Sequence, residues 1–312
     1  MRAPPSEVRA VAVMRQSPGD MSRVLIAGCG YVGGALAERL LVDGCQVWGL
    51  RRSVGALPRG VRRLVGDLTR PGALVDLPVG VDYAIYAAGA KVRDEAAYRA
   101  TYLDGLGNLL RALSDMGERP RRVFFTSSTA VYGQKRGEWV DESSPTYPMG
   151  FPGEILLLAE RLLLGSAFPA TVLRLGGIYG PDRTRIIDRV RSGQASYPSG
   201  PPHYTNRIHR DDAAGALRHL MRLEDPESLY LGVDCEPADE RDVYGWLAET
   251  MAVPPPRSPA EGEAEAPHRA GSKRCRNARL LESGFRFRYP SFREGYGALL
   301  RRSSSSTDPH RS

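Results

Sequence analysis

The sequence predicts an α/β protein, a doubly wound parallel sheet with a smaller C-terminal substrate lobe. Three observations carry that expectation. Short apolar runs alternate with helical patterns as far as Leu175; a glycine-rich turn, Gly28 to Gly33, joins the first run to the first helix; and beyond Leu175 the pattern loosens into loops rich in Gly, Pro and Arg. Alternating strands and helices give a parallel sheet covered by helices on both faces. A chain of 312 residues, 42% of them hydrophobic, can bury a core for one large domain or two closely joined ones.

Val24 to Ala27 is a short apolar run closed by glycines, Ala35 to Val42 has helical spacing, and Gln46 to Leu50 is a second strand. Further strands are expected at Arg63 to Val65, Tyr83 to Ala88, Arg122 to Thr126 and Thr171 to Leu175, with helices at Ala97 to Met116 and Glu154 to Leu164. In the second half the pattern predicts helices at Thr184 to Ser192, Asp211 to Leu223 and Glu240 to Met251, and a strand at Leu229 to Val233. The expected organisation is a flexible extension over 1–20, a dinucleotide-binding sheet domain over 21–175, a substrate lobe interwoven with it over 176–302, and a disordered tail over 303–312. The proline-rich acidic stretch 254–267 reads as a long loop.

Composition narrows the function. The longest apolar stretch, Ile155 to Gly165, is interrupted by Glu160 and Arg161, too short for a membrane span. Residues 1–20 lack the continuous apolar core of a signal peptide, and the four cysteines include no close pair, so a zinc site and a disulfide framework are not expected and a cytoplasmic location is. The net charge of +7 arises at the C-terminal end, where His268 to Ser312 hold eleven Lys or Arg against three acidic residues. The rest of the chain is nearly neutral, and no nucleic-acid motif lies in the basic segment, so the expected partner is a small molecule, not nucleic acid or a membrane.

Gly28-Cys29-Gly30-Tyr31-Val32-Gly33 is G-x-G-x-x-G between a strand and a helix, the setting of a Rossmann-type dinucleotide site. Gly28 allows the tight turn, Gly30 lets backbone approach a pyrophosphate, and Gly33 lets helix and strand pack closely, with Tyr31 and Val32 opening the helix whose N-terminus favours anions. After the second strand, where NAD-binding proteins carry an acidic residue for the ribose hydroxyls, this chain has Arg51-Arg52-Ser53. Two guanidiniums suit a 2′-phosphate, so the cofactor expected is NADP, with NAD the alternative.

With these features the chain resembles the extended short-chain dehydrogenase/reductase superfamily, in its NAD-dependent epimerase/dehydratase group. Separated segments carry the likeness in the family's order: Gly66-Asp67-Leu68 beside adenine, Tyr86-Ala87-Ala88-Gly89-Ala90 at the strand end beside the cofactor, and Ser127-Ser128-Thr129-Ala130-Val131-Tyr132-Gly133 in the active-site segment. Leu173-Arg174-Leu175, Tyr179-Gly180-Pro181 and Asn206 to Ala213 match the crossing into the substrate lobe. The resemblance implies cofactor contacts from Asp67, Leu68, Ala87, Ala88 and Gly89, and a catalytic hydroxyl at Ser128.

The chain departs from the family at the proton relay. Hydride-transferring members use Tyr-x-x-x-Lys, in which the lysine lowers the tyrosine pKa. The only lysines are Lys91, Lys135 and Lys273, and the residues four before them are Ala87, Val131 and Arg269. Counting back from Glu160 places Pro152 at the tyrosine position and Leu156 at the lysine position; Tyr147 is followed at that spacing by Phe151, and Tyr102 stands in the register of the family's asparagine. The chain therefore resembles the atypical subgroup, which keeps the nucleotide fold without the standard pair. Ser128 either polarises a substrate carbonyl or, with Ser127, caps backbone at the strand end. Arg174 either binds an anionic group or holds the two lobes together; Tyr132 with Lys135, His203 and His209 are weaker acid/base candidates. The activities expected are a reductase or epimerase of a small polar metabolite or nucleotide sugar, or a binder of NADP(H) without turnover. A UDP-sugar dehydrogenase would need a nucleophilic cysteine in a glycine-rich loop, which neither Cys235 nor Cys275 offers.

Overall fold

A computed structural model of the chain describes residues 21–53, 55–197, 200–257 and 271–305. Expectations for 1–20, for most of 254–267 and for 306–312 lie outside them. The elements run β1 (Arg23–Ala27), α1 (Tyr31–Val42), β2 (Gln46–Arg51), β3 (Arg62–Val65), β4 (Tyr83–Tyr86), α2 (Glu95–Tyr98), a π-helical stretch (Arg99–Asp104) and α3 (Gly105–Asp115). They continue with β5 (Arg122–Ser128), a 3₁₀ turn (Thr129–Val131), β6 (Glu138–Val140), α4 (Phe151–Leu164), β7 (Ala170–Leu175), β8 (Gly177–Tyr179) and α5 (Arg185–Arg191). The last third holds β9 (Tyr204–Thr205), β10 (Arg207–His209), α6 (Arg210–Leu220), β11 (Leu229–Gly232), β12 (Ala238–Asp239), α7 (Glu240–Thr250), β13 (Lys273–Cys275), α8 (Ala278–Glu282) and α9 (Phe292–Ser305).

Seven parallel strands in the order β11-β7-β5-β4-β1-β2-β3 form the main sheet. The chain winds outward from β1 to β3, then crosses back to β4 on the other side of β1. That reversal opens a crevice at the carboxyl ends of β1 and β4, where doubly wound sheets bind ligands. Burial on both faces explains the near-continuous apolar strands: all six residues of β7 are buried, and β1 is buried from Val24 onward. One face packs under α3 and α4 through Leu106, Leu109, Leu113, Leu156 and Leu163; the other packs under α1 and α6 through Leu36, Leu40, Ala213 and Leu217. A third cluster, with Ile187, Val190, Val243, Leu247, Phe292 and Leu299, forms the core around α5, α7 and α9.

Several expectations are revised. Leu229–Gly232 is the edge strand of the main sheet, hydrogen-bonded to β7, and α6 covers the sheet beside α1, so the second half of the chain is interwoven with the first at these two elements. Segments after Leu175 thus complete the sheet domain. α4 begins at Phe151, three residues early, because a proline in the first helical turn lacks only an N–H that has no intrahelical partner there. The helix expected at 97–116 begins at Glu95 and contains the π-helical stretch. The strand expected to end at Ala88 stops at Tyr86, leaving Ala87 to Gly89 as a loop, and α9 carries helix to Ser305. Short strands β6, β8, β9, β10, β12 and β13 pair in twos outside the main sheet, too brief to leave a periodic signature. Among the described residues, no helix is long and apolar enough to cross a membrane.

Candidate functional site

A cavity of about 820 Å³ lies along the carboxyl edge of the sheet. It is lined by the ends of six strands and the loops that follow them: Gly28 and Gly30 after β1, Arg51 to Ser53 at the end of β2, Gly66 to Thr69 after β3, Ala87 to Lys91 after β4, Ser127, Ser128 and Ala130 around the end of β5, and Gly176 after β7. The glycine turn is built for a group placed above it. Gly28 has φ +91° and a Cβ there would strike the Ala87–Ala88 backbone. A Cβ on Gly33 would come within 2.6 Å of the Gly28 carbonyl and 2.9 Å of Ile26, so this glycine permits helix and strand to touch and does not itself line the cavity. Gly30 is the opposite case, since its added Cβ would meet nothing closer than 3.9 Å. No side chain caps α1, and its first N–H groups remain open toward the cavity. A pyrophosphate fits this cradle.

Arg51 and Arg52 both line the cavity, with different engagements. Arg51 donates from Nη1 to the Ala56 carbonyl at 2.8 Å and so fastens the following loop; Arg52 is exposed and sits close enough to Asp67 to lower its pKa. Asp67 also accepts from the Thr69 N–H and hydroxyl, at 3.0 and 2.7 Å, so its carboxylate shapes the loop after β3. Leu68 lines the cavity, and its carbonyl accepts from Asn108. Ala87, Ala88 and Gly89 form the wall opposite the glycine turn. The cavity also exposes Tyr98, Tyr102 and Arg183; Tyr98 and Arg183 were not legible as site residues in the sequence, because no motif spacing marks them. Arg183 stacks on the Tyr31 ring at 4.1 Å, and the Tyr31 hydroxyl donates to the Pro181 carbonyl, tying the substrate side to the start of α1.

Ser128 ends β5 and lines both this cavity and a second one of about 1220 Å³. Its hydroxyl oxygen accepts from the Ala130 N–H at 3.2 Å, and its proton stays available to a ligand. The capping reading therefore holds for Ser128 without removing it from the site. Ser127 does something else: its hydroxyl donates to Glu160 at 2.5 Å. Glu160, on α4, also receives Arg174 from β7, Nη2 to Oε2 at 2.6 Å and Nε to Oε1 at 3.0 Å, and Arg174 reaches the Tyr132 hydroxyl at 2.7 Å. This buried network lies behind the active-site segment. Arg174 lines neither cavity, so its guanidinium is structural, and it joins β7 to α4 and the active-site segment; it does not bridge two lobes.

Of the remaining acid/base candidates, only Tyr132 lines the first cavity, and its hydroxyl is taken up by Arg174 and the Asp141 carbonyl. Burial pushes its pKa up to about 12, and Lys135 lines neither cavity. His209 is buried and its Nδ1 accepts from the Asp211 N–H, so the histidine itself caps α6; burial lowers its pKa to about 4. His203 Nε2 lies 3.0 Å from the Gly271 carbonyl. Tyr147 is 71% exposed and lines neither cavity. Pro152 and Leu156 do line the first cavity, one helical turn apart on α4, with Tyr102 across from them on the π-helical stretch.

The model of the NAD dependent epimerase/dehydratase family matches residues 24–225 of this chain. The chain belongs to that family. Protein YeeZ of Escherichia coli K12 is 29% identical over 286 residues, spanning 86% of this chain and 97% of YeeZ. A Methylobacillus flagellatus protein assigned to the NAD-dependent epimerases/dehydratases is 39% identical, with a TM-score of 0.76 over 91% of this chain and all of that one. At the level of fold alone, Bordetella bronchiseptica WbmG, solved with NAD, superposes with a TM-score of 0.77 at 20% identity over 93% of this chain and 96% of that one. Human SDR39U1, solved with NADPH, gives 0.74 at 21% over 89% and 99%. On the α4 side of the first cavity, Pro152 and Leu156 present an apolar stretch.

Proposed function

We propose that this epimerase/dehydratase-family protein binds a nicotinamide dinucleotide, NADP(H) in preference to NAD(H), and uses it in an oxidoreduction or epimerisation of a small polar metabolite or nucleotide sugar. The observation that carries the reading is the continuity of the first cavity. It runs from the Gly28–Gly30 cradle past Arg51 and Arg52 to Ser128, where it meets the second cavity, large enough for a sugar nucleotide. Fold neighbours solved with NAD, with NADPH, or with NAD and UDP-glucose together support a nicotinamide dinucleotide and a nucleotide sugar as the classes of ligand.

In that arrangement the α1 N-terminus and Gly30 would hold the pyrophosphate, Arg52 and Arg51 the 2′-phosphate, and the Ala87–Gly89 loop the ring system between them. The bound dinucleotide supplies hydride chemistry. Ser128 orients a substrate hydroxyl or carbonyl by donating its free proton, and α4 presents apolar Pro152 and Leu156, which exclude water from that point. A second reading, binding without turnover, rests on the same two apolar residues. Calorimetric titration with NADPH and NADH separates the claims: the wild type should prefer NADPH, and Arg52→Asp should lose roughly 10- to 100-fold of NADPH affinity while NADH binding changes little. Equal affinities in the wild type would refute the preference. An unchanged Ser128→Ala rate on any substrate that is turned over would remove Ser128 from the chemistry.

A further inference from the structure

The second cavity contains an amine that no family motif accounts for. Lys273 is 3% exposed and lines this cavity together with Ser128, Tyr204, Arg207, Glu240, Tyr244 and Tyr296. Its direction follows from strand alternation. Arg274, the middle residue of β13, faces away and packs over the Trp139 and Tyr204 rings at 4.9 and 4.7 Å, so Lys273 and Cys275 share the opposite, buried face. The strand is anchored beside the reaction end of the sheet. Asn206 donates to the Lys273 carbonyl at 2.9 Å and accepts from the Cys275 N–H at 2.7 Å, and the Asn206 carbonyl in turn accepts from Gly177, next to Gly176, which lines both cavities.

We propose that Lys273 performs the proton transfer for which the family's tyrosine–lysine pair is missing here, exchanging a proton with a substrate hydroxyl in the second cavity. The inference rests on the oxidoreductase reading above. In the oxidative direction the substrate O–H bond breaks and its proton goes to the Nζ lone pair. The electrons of that bond form the second C–O bond, and the carbinol C–H pair leaves as hydride to the oxidised dinucleotide. Reduction reverses each movement. An amine can do this only if it spends time neutral, and burial lowers the pKa of Lys273, with the Cys275 thiol acting in the opposite direction. The other elements around the cavity bring to it the carboxyl groups of Asp182, Asp188 and Glu240, the guanidiniums of Arg183, Arg185, Arg189 and Arg207, and the hydroxyls of Tyr179, Tyr204, Tyr244 and Tyr296.

The chain has three lysines, so the test can watch each of them. Protein grown with ¹³Cε-lysine should give three ε-methylene NMR signals, assigned with Lys91→Arg, Lys135→Arg and Lys273→Arg. The Lys273 signal should titrate at lower pH than the other two. NADP⁺ and NADPH differ by one positive charge on the nicotinamide ring, and the Lys273 midpoint should lie lower with NADP⁺ than with NADPH by at least about half a pH unit. Lys135 should show no such difference. A Lys273 midpoint level with Lys91 and Lys135, or identical with the two cofactor forms while calorimetry shows both bound, overturns the inference and leaves the cofactor reading standing. If neither dinucleotide binds by calorimetry, the functional reading fails first and takes this one with it.

Discussion

At the scale of single residues, the three glycines of the turn make separable contributions. Gly30→Val should abolish dinucleotide binding and leave the circular dichroism spectrum unchanged, since the space above Gly30 is the cradle itself. Gly33→Ala, which drives a methyl into the Gly28 carbonyl and Ile26, should lower stability and affinity together. Two buried titratable groups give opposed pH dependences. Burial raises Asp234 from its ordinary 3.8 to about 7, so between those values the folded chain keeps a proton that the unfolded chain has released, and this group's contribution to stability falls as pH rises. Burial lowers His209 from 6.5 to about 4, so between those values the unfolded chain takes up a proton that the folded chain refuses, and stability falls as pH falls. Measured as Tm against pH, Asp234→Asn should gain on the wild type as pH rises from 4 to 7. His209→Asn should gain on it as pH falls from 6.5 to 4.

Among the elements, the break in the helix after β4 has an identifiable cause. Tyr86, the last residue of β4, is fully buried, and its hydroxyl donates to the Thr101 carbonyl inside the π-helical stretch. A Cβ on Gly105 would strike the same hydroxyl. The inserted group spreads the helix there and turns Tyr98, Thr101 and Tyr102 toward the cavity. Gly105→Ala should therefore cost about 1–3 kcal/mol in urea unfolding, and much less in a Tyr86→Phe background. The Glu160–Arg174 pair is the second such joint. Removing one partner strands a buried charge, so Glu160→Gln should cost roughly 3–5 kcal/mol, and Glu160→Leu with Arg174→Met should cost less than either single change. A double-mutant cycle from urea unfolding measures both.

At the scale of the whole molecule, the segments on either side of Leu175 should unfold as one cooperative unit. α6 covers the same sheet face as α1, and Arg218 and Arg222 on the α6 side both pair with Asp43 at the end of α1. Ligand in the first cavity should therefore stabilise the entire fold. At an NADPH concentration of 100 times Kd the expected gain is about 2.7 kcal/mol, seen as a single shifted thermal transition, and Gly30→Val should abolish the shift. Two transitions, of which only one moves, would show that the halves unfold independently.

What the sequence determined by itself is local. Strand and helix periods, the G-x-G-x-x-G turn between them and the absence of any Tyr-x-x-x-Lys pair are all readable within a few residues, and the strands of the sheet from β1 to β7 that they announce are present, with the glycine turn between β1 and α1. Tertiary structure decided whatever depends on which distant segments meet. Arg174 could equally have faced a ligand or a carboxylate, and the choice was made by Glu160 on another element, because a buried guanidinium is stable only where a partner is presented to it. Leu229–Gly232 reads as a strand anywhere, and only pairing with β7 places it in the main sheet. Lys273 lies on a three-residue strand, too short to carry a period, and became visible only where β13 meets the cavity wall.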